Sequence, residues 1–235
     1  MIWVNNLTKP NLPGAVTLRL DPTTTCLLII DMQKDFVSTD GAFAKFNKEY
    51  VKLARKAIPI IQKASDFCRN KGIPVFYTKQ IHVPEAFSAG LHSIFGREMS
   101  ALRNAGIRFC IRGTEGTEII DELKPKEKDY IVEKNKPSAF YNTWLELWLR
   151  YLRIRTILVT GVNTGYCVAH TVMDAWARDL DTIVIEDGIG DPFPFVHENL
   201  LALFDMRWGR VLKWESVEKA LKSFPNSVEL PGESP

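Results

Sequence analysis

No stretch of this 235-residue chain comes near the roughly 20 consecutive apolar residues that a membrane-crossing helix needs. The first residues, Met1-Ile2-Trp3-Val4-Asn5, lack a basic region followed by a long apolar run, so no secretory signal is expected and a cytoplasmic location is. Neither sign of charge dominates: 30 Lys and Arg stand against 28 Asp and Glu, a formal net charge of +2. There is no basic run with interleaved aromatics, so neither nucleic acid nor an anionic membrane surface is an expected partner. Cysteine is sparse. Cys26, Cys68, Cys110 and Cys167 lie far apart, with no CxxC pair and no spacing that would ligate a metal. That pattern excludes a disulfide framework and leaves reduced cysteines that act mostly as small buried hydrophobes. Repeats and low-complexity segments are also missing.

What the chain has is an ordinary globular composition, 46% hydrophobic and 25% charged, and a length suited to one large domain. Residues 1–24 carry Pro10, Pro13 and Pro22 with few periodic apolar positions and read as an N-terminal arm. Residues 225–235 are polar and read as a flexible tail, which leaves 25–224 as the domain. Within it, apolar runs alternate with helical stretches. Cys26–Ile30, Pro74–Thr78, Tyr130–Val132, Thr156–Thr160, Thr182–Ile185 and Gly209–Leu212 read as six strands. Lys48–Lys71, Trp144–Arg153, Gly165–Arg178 and Glu198–Arg207 read as helices. Strands that are apolar throughout are expected where helices cover both faces of a sheet. The implied fold is α/β: a three-layer αβα, doubly wound, mainly parallel six-stranded sheet. Ile81–Gly116 fits this alternation least and reads as an irregular insertion with a short helix.

In open parallel sheets, ligands bind beyond the carboxyl ends of the strands. The polar residues that follow the apolar runs are therefore the candidates: Asp31; Lys79 and Gln80; Lys134; Asn163, Thr164 and Cys167; Asp187 and Asp191. Cys167 follows a strand and stands near a helix start, where partial positive charge and free N–H groups should lower a thiol pKa and could cradle an oxyanion. A buried structural cysteine would fit the same position. Asp31 could take the proton of a neighbouring thiol and return it to a leaving amine; a helix cap or turn acid is the plainer explanation. Lys134 would supply a fixed positive charge, but it lies among Lys124, Lys126, Lys128 and Lys136, and position alone does not choose it over Lys136.

Three blocks settle that choice. They are Leu27-Leu28-Ile29-Ile30-Asp31-Met32-Gln33-Lys34-Asp35-Phe36, Glu133-Lys134-Asn135-Lys136-Pro137-Ser138-Ala139-Phe140, and Val159-Thr160-Gly161-Val162-Asn163-Thr164-Gly165-Tyr166-Cys167-Val168 with Thr171 and Asp174-Ala175. In this order and at these separations, the chain resembles the isochorismatase-like cysteine hydrolases from about Thr25 to Ala220. The resemblance implies Cys167 as nucleophile, Asp31 as general base and Lys134 as its partner. It also implies a non-proline cis peptide at Val162–Asn163 that turns N–H groups toward the oxyanion.

Members of that family that cleave the vinyl ether of isochorismate typically lack the cysteine, so Cys167 favours C–N hydrolysis of amide, ureido or carbamoyl substrates. Many nicotinamidases of the family bind a metal through an Asp and two His after the second strand. Here Thr78-Lys79-Gln80-Ile81-His82-Val83-Pro84-Glu85 has His82 but no such Asp, and His92 is a poor second ligand, so no metal or other cofactor is expected. Glu186-Asp187-Gly188-Ile189-Gly190-Asp191, with His197 and Phe204-Asp205-Met206, looks like the branch that acts on N-carbamoyl and ureido compounds, such as N-carbamoylsarcosine, biuret and ureidoacrylate amidohydrolases. Pro192-Phe193-Pro194-Phe195 stands where some of those relatives carry basic residues, which puts a more apolar substrate within reach. Phe36, His82, Phe140 and Tyr166 are candidate pocket residues, and core positions for the aromatics remain open. The family likeness also implies a homo-oligomer, a dimer or tetramer. The alternatives are a nicotinamidase-type amidase, or a redox-sensitive or ligand-binding protein without catalysis on the same fold.

Overall fold

The computed structural model describes residues 17–46, 48–83, 108–226 and 228–229. The arm before residue 17, most of the Ile81–Gly116 insertion together with His92, and the tail from residue 230 lie outside the described residues.

In chain order, the strands are β1 (Thr17–Leu18), β2 (Thr25–Ile30), β3 (Val75–Gln80), β4 (Tyr130–Lys134), β5 (Thr156–Val162), β6 (Asp181–Gly190), β7 (Arg210–Leu212) and β8 (Val228–Glu229). The α-helices are α1 (Lys34–Val37), α2 (Ala42–Phe46), α3 (Lys48–Arg55), α4 (Ile58–Asn70), α5 (Leu145–Tyr151), α6 (Ala169–Trp176), α7 (Pro194–Leu203) and α8 (Trp214–Ser223). Six strands form one sheet in the order β4-β3-β2-β5-β6-β7, and every pairing in it is parallel. Successive side chains of a strand point to opposite faces, and the core divides accordingly. Leu27, Ile29, Val75, Tyr77, Leu158 and Ile183 pack with Ala54, Ile61, Cys68, Trp214 and Val217. Cys26, Leu28, Ile30, Phe76, Ile157, Val159 and Val184 pack with Leu145, Leu149, Val172 and Phe204. Helices α3, α4 and α8 therefore cover one face, and α5 and α6 the other, giving three layers.

The expected fold class holds, with local corrections. Lys48–Lys71 is not one helix but two, because Pro59 in the first turn of α4 has no N–H to donate and its ring clashes with the carbonyl four residues back. Gly165–Arg178 begins as a π-helical turn, Thr164–Val168, before α6 takes over, and α7 likewise runs into a π turn over Phe204–Trp208. Strand β6 runs on to Gly190, so Asp187 lies within it rather than after it. Its carboxylate accepts the Trp214 N–H at 2.9 Å and starts α8, a helix that no motif announced. The arm and the tail are not both loose at their inner ends: β1 pairs antiparallel with β8, Thr17 opposite Glu229.

Candidate active site

The chain runs outward from β2 to β3 and β4, then returns to lay β5 beside β2. The switch in strand order thus falls between β2 and β5, and the crevice beyond the carboxyl ends of those two strands is the preferred binding place of such a sheet. Asp31 follows β2 directly. Cys167 lies in the turn after β5, and Lys134 ends β4, two strands from β2.

These three side chains meet. The Lys134 ammonium lies 2.7 Å from Asp31 Oδ2 and donates to Cys167 Sγ at 3.3 Å. It also donates to Gln80 Oε1 at 2.8 Å and to the Lys136 carbonyl at 3.2 Å, so Lys136 meets the ammonium through its backbone. Both charged side chains are essentially sealed from solvent, 0% exposed for Lys134 and 1% for Asp31. A buried ion pair is tolerated only where hydrogen bonds occupy its remaining sites. Thr78, on β3 between them, donates its hydroxyl to Asp31 Oδ1 at 2.6 Å and accepts the Asp31 N–H at 3.1 Å. Asp31 itself sits at φ 50, in the left-handed region that residues with a side chain seldom occupy.

The turn that carries the thiol is fixed as closely. Gly161 has φ 107, and any Cβ there would lie 2.1 Å from the Ile30 carbonyl of the neighbouring strand, so only glycine lets β5 approach β2 at this level. The Val162–Asn163 peptide bond is cis. The Asn163 carbonyl accepts the N–H groups of Tyr166 and Val168, both at 3.1 Å. Asp191, buried after β6, accepts the Gly165 N–H at 2.6 Å and the Phe193 N–H at 2.9 Å. Thr171 donates to the Cys167 carbonyl at 2.7 Å and accepts the Ala139 N–H at 3.0 Å, which ties the loop after β4 to the nucleophile turn.

One electrostatic expectation is overturned. Burial pushes the Cys167 thiol well above its ordinary range; Lys134 pulls it down and Asp31 pushes it further up. The resting thiol is therefore protonated, and the position after β5 does not by itself make a thiolate. For Lys134, burial works against the charge, but Asp31 and Cys167 more than offset it and hold the ammonium above its ordinary range.

Phe36 packs into the α3/α4-side core, 5.0 Å from Phe43 and 6.0 Å from Phe109 between ring centres. Phe140 is buried in the same core as Cys167, with the Arg178 guanidinium 4.8 Å above its ring. Tyr166 is half-buried and meets His170 edge to face. His82 is buried, edge-on to Phe109, with burial pushing it down to about 4. Lys79 points away from the site and pairs with Glu118 at 2.7 Å. Thr78 and Gln33 were not singled out from the sequence. The signal for Thr78 was the two-residue alternation that places it on the face of Gln80.

Among the described residues, no three His, Cys, Asp or Glu side chains group closely enough to hold a metal ion. After β3 the described donors are Gln80, whose amide oxygen is taken by Lys134, and His82, 3.5 Å from the Gln80 amide nitrogen. That set does not fit a metal. A cavity of about 390 Å³ lined by Arg112, Ile131, Lys134, Trp144 and Trp148 reaches neither Asp31 nor Cys167.

The family model described as the isochorismatase domain matches residues 25–216. The chain belongs to the isochorismatase family. It is 34% identical over 168 residues to the N-carbamoylsarcosine amidase of Arthrobacter sp., a match that covers 72% of this chain and 62% of that protein's own length. It is 29% identical over 188 residues to the ureidoacrylate amidohydrolase RutB of Agrobacterium fabrum, across 77% of this chain and 81% of the relative. Its fold superimposes on a cysteine hydrolase from Pseudomonas syringae pv. phaseolicola with a TM-score of 0.75 at 26% identity, over 89% of this chain and 98% of the other.

Proposed function

We propose that this isochorismatase-family protein is a cysteine-dependent amidohydrolase that cleaves a C–N bond of a small amide, ureido or N-carbamoyl compound. One observation carries the reading: a sealed ammonium, Lys134, within 2.7 Å of a carboxylate and 3.3 Å of a thiol at the switch point of the sheet. The amidase and amidohydrolase named among the relatives support the bond type.

In the proposed cycle, the Cys167 S–H proton passes to an Asp31 carboxylate oxygen as sulfur attacks the carbonyl carbon. Because the resting thiol is protonated, transfer and attack are coupled, and no standing thiolate is needed. The tetrahedral oxyanion is held by backbone N–H groups around Asn163 and Cys167. Asp31 returns the proton to the departing nitrogen as the C–N bond breaks, leaving a thioester on Cys167. A water molecule then gives one proton to Asp31 and its hydroxyl to the acyl carbon; the C–S bond breaks, the acid leaves, and Asp31 returns the proton to the Cys167 sulfur. Lys134 keeps its charge throughout and opposes the negative charge that moves between sulfur and Asp31. The cycle needs no metal and no cofactor. The remaining parts of the reading are a catalytic unit spanning residues 25–224, a cytoplasmic protein, and assembly as a dimer or tetramer. Phe36, His82, Phe140 and Tyr166 shape the substrate pocket.

Ammonia release tests the reading. N-carbamoyl amino acids, biuret, ureidoacrylate, nicotinamide and aliphatic amides are offered to the wild-type protein and to Cys167→Ala. Release that needs Cys167, with an acyl-enzyme visible by mass, is the expected result. Full release by Cys167→Ala would sink the mechanism.

A further inference from the structure

Lys134 has three N–H donors and no acceptor, yet four groups surround its nitrogen. Asp31 and Gln80 each take one short contact, at 2.7 and 2.8 Å. The ammonium's three hydrogen bonds go to Gln80, to the Lys136 carbonyl at 3.2 Å and to the Cys167 sulfur at 3.3 Å, while Asp31 Oδ2 is met as an ion pair. The thiol thus receives one donor because Gln80 and the Lys136 carbonyl hold the other two. Asp31 alone would draw the ammonium into a simple pair.

The Gln80 side chain cannot face the other way. Only its oxygen can meet an ammonium, so the amide NH2 turns toward the His82 ring, whose Nε2 lies 3.5 Å from the amide nitrogen. Its backbone is held as tightly. Gln33 accepts the Gln80 N–H on Oε1 at 2.7 Å and donates Nε2 to the Gln80 carbonyl at 3.0 Å, pairing with it as a neighbouring strand would. The same Gln33 amide donates to the Thr117 carbonyl at 3.0 Å. Gln33 itself is fully buried, and Gln80 is 6% exposed.

We propose that Gln80 is a positioning residue that aims the Lys134 ammonium at the gap between Asp31 and Cys167, with Gln33 and His82 fixing its own orientation. This rests on the reading of Asp31, Lys134 and Cys167 as the reacting groups. A neutral acceptor suits the role. A carboxylate at the same reach would compete with Asp31 for the ammonium and add negative charge beside the thiol. An apolar side chain would free the ammonium to swing toward Asp31 and the Lys136 carbonyl, away from sulfur.

Gln80→Met removes the acceptor at nearly constant volume. Turnover on the best panel substrate is expected to lose about 10- to 100-fold in kcat with KM within about threefold of wild type, the range usual when a group that orients a reacting residue is lost. A second readout needs no substrate: the rate at which iodoacetamide alkylates Cys167 at fixed, mildly alkaline pH, located by peptide mass spectrometry. Loss of the aimed charge is expected to slow it about tenfold, the equivalent of one pKa unit. A merely structural role for Gln80 would leave that rate unchanged. If Gln80→Met does not fold, Gln80→Asn, which withdraws the amide by one methylene, is expected to move both readouts the same way. A folded Gln80 variant that matches wild type in alkylation and kcat overturns the positioning role alone. Turnover that survives Cys167→Ala overturns the catalytic reading and the positioning role with it.

Discussion

At the scale of single residues, the site is a problem in buried charge. Asp31→Asn keeps the shape of the carboxylate but leaves Lys134 charged and unpaired where both are sealed from water. Breaking such a pair from one side costs about 3–5 kcal/mol. The expected outcome is an unfolding free energy lowered by that amount, read as a lower urea midpoint, together with loss of amide turnover. A variant that loses turnover and keeps full stability would mean that the pair is not buried as described. Thr78→Val is the gentler test. It deletes the hydroxyl that donates to Asp31 Oδ1 and preserves the branched shape that the strand favours. Stability should fall by about 1–2 kcal/mol, the usual consequence of one unmet buried polar group, and kcat should fall with little change in KM. Asp31 and Cys167 stood out in the sequence because each follows an apolar run that ends a strand; Lys134 emerged from among its neighbours only through the family blocks. Thr78 did not stand out, because a threonine inside a strand is already explained by its β-branched shape. Gln33 did not either, because its two-sided pairing with Gln80 exists only once β2 and β3 lie side by side.

At the scale of elements, the strand order places the chemistry, and one glycine guards it. Gly161 lies opposite Ile30 in the β2–β5 register, and its φ of 107 puts any added Cβ 2.1 Å from the Ile30 carbonyl. A backbone oxygen cannot rotate aside as a flexible side chain can. Gly161→Ala must therefore push β5 from β2 just before the turn that carries Cys167, and we expect it to accumulate as insoluble protein or to melt well below wild type in a thermal scan. Gly72→Ala serves as the control: it also has positive φ, 71, but nothing lies within 4 Å of an added Cβ, so it should cost only the strain of the left-handed conformation, about 1–2 kcal/mol. The elements that the sequence left unread have local causes. The division of Lys48–Lys71 was hidden because its apolar period continues across Pro59. Helix α8 was hidden because its start depends on Asp187 reaching Trp214 across 27 residues, a contact that no window along the chain contains.

At the scale of the whole molecule, the two chain ends and the acid response can be tested together. The β1–β8 ribbon joins the segment before the domain to the segment after it, outside the six-stranded sheet. A chain ending at Asn226 loses that ribbon and keeps Asp31, Lys134 and Cys167, so it should still release ammonia; loss of turnover would extend the catalytic unit beyond residue 224. The acid response turns on His82. Burial, reinforced by Lys134 and Lys136 and opposed by Asp31, lowers its pKa from the ordinary 6.5 to about 4 in the fold. Above pH 6.5 the ring is neutral in folded and unfolded chains alike, and pH does not matter to it. Between pH 6.5 and about 4 the unfolded chain binds a proton that the folded chain refuses, so stability must fall as the pH is lowered through that window. The shift sets an upper bound of about 3 kcal/mol. Carboxylates also titrate toward the lower end, so the measurement is a difference. Urea midpoints of wild type and His82→Gln are compared from pH 7 to pH 4, and the two curves should converge as the pH falls. Parallel curves would mean that His82 gains its proton in the folded chain as readily as in the unfolded one, and that its ring is not desolvated as described.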